Sequence, residues 1–264
     1  DNSYRYSGAN PDNYVCFGSN ESPCPTDNLY RIIGVFGDKV KLIKSDYATS
    51  SLLGTDGDYY ESRTPDASSY KGSLTTVNTY YWNYKATNSA TNTWSTSLLN
   101  KTNLNTNFIT NIGTEWAEKI ATTTWKVGGN TRENISKVVP ATTYQNEILK
   151  PGTTEYPAKI GLMYASDYGF AADPSAWTTT LWDYDGSVNG STISSLNWMY
   201  MGYSDWTISR NADRSSTAFR IGGSIVGGAY VDADSVGVRP SFNLESSVTY
   251  ASGDGTASSP IRIG

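Results

Sequence analysis

Asp205-Trp206-Thr207-Ile208-Ser209-Arg210 and Gly237-Val238-Arg239-Pro240-Ser241-Phe242-Asn243-Leu244 bracket the last quarter of the chain. The 211–236 stretch between them is built mainly from Ser, Gly, Ala, Asp and Arg, with few large apolar anchors. Two aromatic strands around a polar, small-residue interior predict a rigid frame holding a display surface. Trp206, Phe219 and Phe242 are the anchors that bury one side of that face. Arg239 precedes a proline, which disfavours the helical region and keeps it extended. A guanidinium there can bridge backbone carbonyls or a carboxylate beneath the surface. Arg239 and Arg210 are therefore expected as structural clamps rather than ligand contacts.

Composition points the same way. A chain of 264 residues fits one large β-rich domain or two small ones and can bury a substantial core. The net charge is −5 and no basic run is visible, so nucleic acid and anionic membrane surfaces are poor partners. There are 20 Tyr and 8 Trp but only 3 Met, among abundant Ser, Thr, Asn and Gly. That mix marks a β-rich, turn-rich extracellular protein more often than a cytosolic enzyme. No stretch approaches the roughly 18 consecutive apolar residues of a membrane span. Asp1 does not begin a signal peptide, so the chain reads as a mature or trimmed ectodomain. Cys16 and Cys24 enclose a short turn-rich loop and are expected to form a disulfide, contributing about 2–3 kcal/mol. Such a bond implies an oxidising compartment.

Along the chain, Leu29 to Phe36 and Lys39 to Lys44 read as a hairpin turning at Gly37-Asp38, the second strand alternating apolar and charged residues. Residues 54–80 are rich in Gly, Asp, Ser and Tyr and read as an irregular insertion. Ser95 or Thr96 is expected to cap a helix carrying Leu98, Leu99, Leu104, Phe108, Ile109 and Ile112. Gly113 should split it from a second helix, Thr114 to Ile120, with Trp116 on the same apolar side. A strand over 122–127 is expected to end at Gly128-Gly129. Residues 159–164 predict a buried strand followed by a turn at 166–170. Further strands are expected at 198–201, 206–208, 218–221, 227–231, 238–244, 248–250 and 260–263. No repeat of 20–50 residues is present, which argues against a solenoid or propeller.

The sequence offers little for catalysis. It contains no histidine, which removes Ser-His-Asp and Cys-His arrangements and any histidine metal site. No phosphate-binding or dinucleotide-binding glycine motif occurs. Asp167 and Asp173 flank an aromatic turn and are the carboxylate pair a glycosidase would need, if they faced one cleft roughly 5–10 Å apart. Asp183, Asp185, Ser187 and Asn189 place oxygens at alternating positions with a glycine turn, so calcium is conceivable there, without the distant bidentate glutamate of an EF-hand. Asp56-Gly57-Asp58 and Asp232-Ala233-Asp234 are weaker versions. An acidic turn solvated by water is the simpler reading of each, and no cofactor is expected.

Four motifs together resemble a known family. They are Trp94-Ser95-Thr96-Ser97-Leu98-Leu99-Asn100, Lys159-Ile160-Gly161-Leu162-Met163 with Ser166-Asp167-Tyr168, Asp205 to Arg210, and Gly237 to Leu244. In this order they resemble the bacterial and phage C-type-lectin-like domains related in fold to the formylglycine-generating enzyme. The resemblance spans about 25–264. It implies an α+β fold with twisted antiparallel sheets, two helices and long irregular insertions, over 29–264, preceded by a 1–28 segment with the disulfide loop. The enzymes' catalytic cysteines have no counterpart, because Cys16 and Cys24 lie far upstream. In members diversified by retroelements, the segment between the tryptophan strand and the closing strand is the ligand-binding face. Mapped here it runs over about 204–236, and the resemblance assigns ligand contacts to Ser204, Asn211, Asp213, Arg214, Ser216, Thr217, Ser224, Tyr230, Asp232 and Asp234. Gly222-Gly223 and Gly227-Gly228 depart from an aromatic-rich face. The resemblance implies an extracellular domain on a bacterial surface or phage particle, binding a protein or glycan and performing no catalysis. Many relatives carry a type IV prepilin-like N-terminus, absent here, so the alternative is a structural or tip subunit of a pilus-like filament.

Overall fold

The computed structural model describes residues 3–84, 91–150, 153–234 and 236–264. Within them the chain is α+β, two curled and largely antiparallel sheets with helices and long connections packed around them. The predicted hairpin seeds the first sheet. Leu29–Phe36 pairs antiparallel with Lys39–Lys44, and Gly37 makes the turn at a φ of 64°, which a glycine adopts without steric cost. Tyr4–Arg5 and Tyr14–Cys16 pair with Leu29–Phe36 on its other edge, and Ser241–Asn243 then Ile160–Gly161 extend the sheet beyond Lys39–Lys44. The N-terminal segment is thus part of the sheet. The expected disulfide joins Cys16 to Cys24. The alternation of 39–44 does not place its lysines in water, because Lys41 and Lys44 are buried.

The second sheet runs Ile225–Tyr230, Thr217–Gly222, Asp205–Asn211, Val236–Gly237, Val77–Tyr80 and Tyr59–Arg63, with Gly129–Asn130 also on Asp205–Asn211. Two of its pairings are parallel, Asp205 with Gly237 and Arg210 with Gly129. Three expectations fail here. Residues 54–80 are irregular only in part: Tyr59–Arg63 and Val77–Tyr80 are strands, and Val77–Tyr80 is wholly buried and takes an interior place in the sheet. Gly129 opens a strand instead of ending one. Residues 198–201 form no strand; they turn, and Trp198 Nε1 reaches back to the Tyr6 carbonyl at 2.9 Å. The partners that decide these positions, Val236–Gly237, Arg210 and Tyr6, are remote in sequence, beyond the reach of a local pattern.

The helical pattern at 98–120 splits at Gly113, whose φ is 82°, and resumes as Thr114–Glu118. Its first half, Leu99–Phe108, is wound as a π-helix. The wider turn stacks residues five apart: Leu99 and Leu104 are both buried, and Asn105 Nδ2 donates to the Asn100 carbonyl at 3.0 Å. Neither Ser95 nor Thr96 caps it. Ser97 Oγ accepts the Asn100 amide at 3.1 Å, and Asp58 Oδ2 accepts the Leu99 amide at 2.9 Å. The turn expected at 166–170 is a helix, Ala165–Ala171. Its opening amides are claimed by Glu147 and its own Asp167.

Asp58 illustrates what burial does to a capping carboxylate. It accepts amides of Leu99 and Tyr84, yet loss of hydration dominates and pushes its carboxyl from 3.8 up to about 6. A raised carboxylate stabilises the fold fully below 3.8, and that contribution is lost as pH rises through about 6. Wild-type stability is expected to fall across that window relative to Asp58→Asn. Urea midpoints on either side of it measure the difference, and a gap that does not change with pH would refute the assignment.

Candidate ligand-binding cleft

The frame is organised by one buried ion pair. Arg239 and Asp205 are 1% and 2% exposed, and Arg239 Nε donates to Asp205 Oδ2 at 2.5 Å. Its Nη2 reaches the Met199 carbonyl at 2.7 Å. Burial pushes the Asp205 carboxyl up to about 6 although Arg239 opposes it, and its other oxygen has no hydrogen-bond partner among the described residues. Arg210, expected to act alike, differs. It is half-buried, and its buried Nε has no hydrogen-bond partner among the described residues. Trp206, Phe219 and Phe242 are all fully buried, and Trp206 Nε1 donates to the Tyr80 carbonyl at 2.8 Å.

Above this frame lies a cleft of about 550 Å³. Its floor is the hairpin of Thr217–Gly222 and Ile225–Tyr230. Arg220 opposes Gly227 and Gly222 opposes Ile225, so these four share one face. The glycines leave the floor open. A Cβ on Gly227 would meet only Trp182, at 3.7 Å, and one on Gly228 only Asn211, at 4.0 Å. One wall is the short helix Arg132–Ile135, where the Arg132 guanidinium lies 3.7 Å from the Trp182 ring centroid. The other wall is the exposed loop carrying Asp213 and Arg214, with Tyr230, 50% exposed, beside it. The lining combines three arginines (Arg132, Arg214, Arg220), two carboxylates (Glu133, Asp213) and two aromatic rings.

The loop at the rim is held from beneath by Asn92, which is buried. Its Nδ2 is shared among the carbonyls of Asn211 at 2.7 Å, Thr217 at 2.6 Å and Arg214 at 3.1 Å. The Asn92 amide adds a bond to the Ser215 carbonyl at 2.6 Å. A loop tied at four carbonyls presents its side chains with little freedom to lose on binding.

The ten residues assigned as ligand contacts divide. Asp213, Arg214 and Tyr230 line the cleft with exposed side chains, and Asn211 and Thr217 line it although they are buried. Asn211 Oδ1 accepts the Asp213 amide at 2.9 Å, so its side chain shapes the loop. Ser224, expected exposed, is buried. It is the corner of the hairpin at a φ of 69°, its Oγ donates to the Tyr184 carbonyl, and its own carbonyl accepts from Tyr168. Ser204 accepts from Arg220 Nη1 and so orients a cleft arginine. Asp234 accepts the Tyr230 amide, Ser216 is half-buried with its carbonyl bonded to Val231, and Asp232 is half-buried. Arg132, Glu133, Trp182 and Arg220 escaped the sequence reading. Three of them come from outside the 204–236 segment, and Arg220 looked like one more strand residue.

The other candidates take structural positions. Asp167 and Asp173 sit at opposite ends of the Ala165–Ala171 helix. Asp167 pairs with Lys41, and Asp173 accepts both the amide and hydroxyl of Ser175. Asp183 accepts from Thr180, while Ser187 and Asn189 belong to a small hairpin turned by Asn189 and Gly190, both at positive φ. No group of three or more His, Cys, Asp or Glu residues that could hold a metal occurs among the described residues.

Comparison with family models, curated proteins and solved structures finds no match to this chain.

Two substitutions separate frame from rim. Arg239→Leu leaves the buried Asp205 carboxyl without its partner and is expected to cost about 3–5 kcal/mol in chemical denaturation. Asn92→Ala strips the hydrogen bonds from buried carbonyls and is expected to cost about 1–3 kcal/mol. Hydrogen exchange should then speed up in the 211–217 loop while the frame strands stay protected. Uniform protection across both variants would show that the loop does not depend on Asn92.

Proposed function

We propose that this chain is an extracellular ligand-binding display domain of the C-type-lectin-like type, using the glycine-floored cleft between the 211–217 loop and Trp182. The observation that carries the reading is the cleft itself: open, chemically mixed, and placed on the strands bracketed by the two motifs that suggested a display face. The motifs behind the family resemblance lie together in the frame beneath it. Ile160 pairs with Phe242, Asp205 with Gly237, and the Ile208 amide bonds the Met163 carbonyl. A disulfide suits an oxidising environment. The lining suits a partially charged partner, a protein surface or a glycan, held by arginine and aromatic contacts on a rigid support. The domain performs no catalysis in this reading; Asp167 and Asp173, the pair considered for a glycosidase, are committed elsewhere.

Glycan arrays and surface-protein panels test this with two variants. Asp213→Ala/Arg214→Ala/Tyr230→Ala removes contacts. Gly227→Val instead fills the floor on the face it shares with Arg220, where a Cβ meets only Trp182, at 3.7 Å. A ligand bound by the parent and weakened at least tenfold by both, at unchanged melting temperature, is the expected result. Binding indifferent to both variants moves the site elsewhere. Absence of any ligand, with assembly into filaments, would favour the subunit reading.

A further inference from the structure

A second group of buried charges lies away from the cleft, between the first hairpin and the Ala165–Ala171 helix. Lys41 comes from the strand Lys39–Lys44 and Asp167 from the first turn of the helix. Their side chains are 6% and 4% exposed, and Lys41 Nζ stands 2.5 Å from Asp167 Oδ2. Aromatic rings enclose the amine: Tyr164 at 4.5 Å, Trp125 at 5.4 Å and Phe36 at 5.7 Å from the ring centroids. Glu147, also buried, accepts the amides of Ala165 at 3.1 Å and Ser166 at 3.0 Å, together with the Ser209 hydroxyl. It holds the turn that carries Asp167. A cavity of about 200 Å³ adjoins the pair, lined by Phe36, Trp125, Tyr144 and Tyr164.

A buried ion pair is expensive in hydration, and proton transfer from ammonium to carboxylate relieves the cost. Burial lowers the Lys41 ammonium, and nearby Arg5 pushes the same way, though Asp167 and Glu147 oppose both. The product of transfer is a neutral amine against a neutral carboxylic acid. Reacting atoms about 3–3.5 Å apart and held in place behave as if at enormous concentration. An amine in contact with one carboxyl oxygen is poised at that range from the carbon bearing it.

We propose that Lys41 and Asp167 condense to an intramolecular isopeptide bond, tying the first sheet to the helix. The Lys41 Nζ–Asp167 Cγ bond forms and the Cγ–Oδ1 bond breaks. Of the three ammonium hydrogens, two leave with that oxygen as water and one stays on the amide nitrogen, so neither oxidant nor co-reactant is needed. The Tyr164 amide donates to Oδ2 at 2.9 Å, where the negative charge of the tetrahedral intermediate collects and the amide carbonyl remains. The adjoining cavity gives the released water somewhere to go.

The purified chain itself supplies the test. Its intact mass, with the Cys16–Cys24 disulfide accounted for, is expected to fall short of the sequence mass by one water molecule. Proteolysis should yield one branched peptide joining the segments that contain Lys41 and Asp167. Lys41→Arg and Asp167→Ala should each restore the full mass. A wild-type chain at full sequence mass would overturn the proposal without any variant having to fold. So would a missing water without a branched peptide, which is the signature of a cyclised aspartate elsewhere.

Discussion

The structure depends on the contact between Arg239 and Asp205. The segment from Val236 to Asn243 belongs to both sheets: its first two residues pair within the second, its last three within the first. Between them the chain must turn through the interior, where every polar group needs a partner. Pro240 gives up no amide, its carbonyl takes the Lys44 amide, and the Val238 carbonyl takes that of Ala48. Arg239 spans the remaining gap by joining Asp205 of the second sheet to the Met199 carbonyl. A charge pair at that depth adds little net stability over an apolar equivalent, but it accepts very few alternative arrangements of the two sheets.

The cleft inherits its rigidity from this joint. Asp205 starts the strand that leads into the rim loop, and that strand is bonded on both sides and at its far end. Gly222 and Gly227 alternate with Arg220 and Ile225 on the cleft face of the floor, so the pocket opens where side chains are missing. The pair Gly227-Gly228, which as a sequence feature spoke against a binding face rich in aromatics, leaves the floor open. The aromatic component comes instead from Tyr230 and from Trp182, packed under Arg132.

Local patterns were a good guide wherever neighbours in sequence are also neighbours in space. The hairpin about Gly37-Asp38, the break at Gly113, the disulfide and the burial of Trp206, Phe219 and Phe242 all rest on spacing, turn chemistry or residue type. The errors share a cause. Val77–Tyr80 has an unremarkable composition, and its interior place comes from Val236–Gly237 and Tyr59–Arg63 lying on either side of it. Ser224 has the polarity of a surface residue but occupies a left-handed corner whose side chain turns inward. Ser95 and Thr96 are good capping residues, but Asp58, 41 positions before Leu99, already serves the helix opening there.

By itself the sequence determined the chemical limits of this protein. Without histidine or a nucleotide-binding motif, several catalytic classes were closed, and the aromatic brackets marked the frame and the approximate position of its exposed segment. Only the tertiary structure decided which side chains meet. It put Arg132 and Trp182 opposite the 211–217 loop, placed Asn92 beneath four of its carbonyls, and brought Lys41 against Asp167 across 126 positions of chain. The reason is that periodicity and propensity act over a turn or two, whereas a cleft and a buried charge pair are defined by distances across sheets that no local pattern encodes.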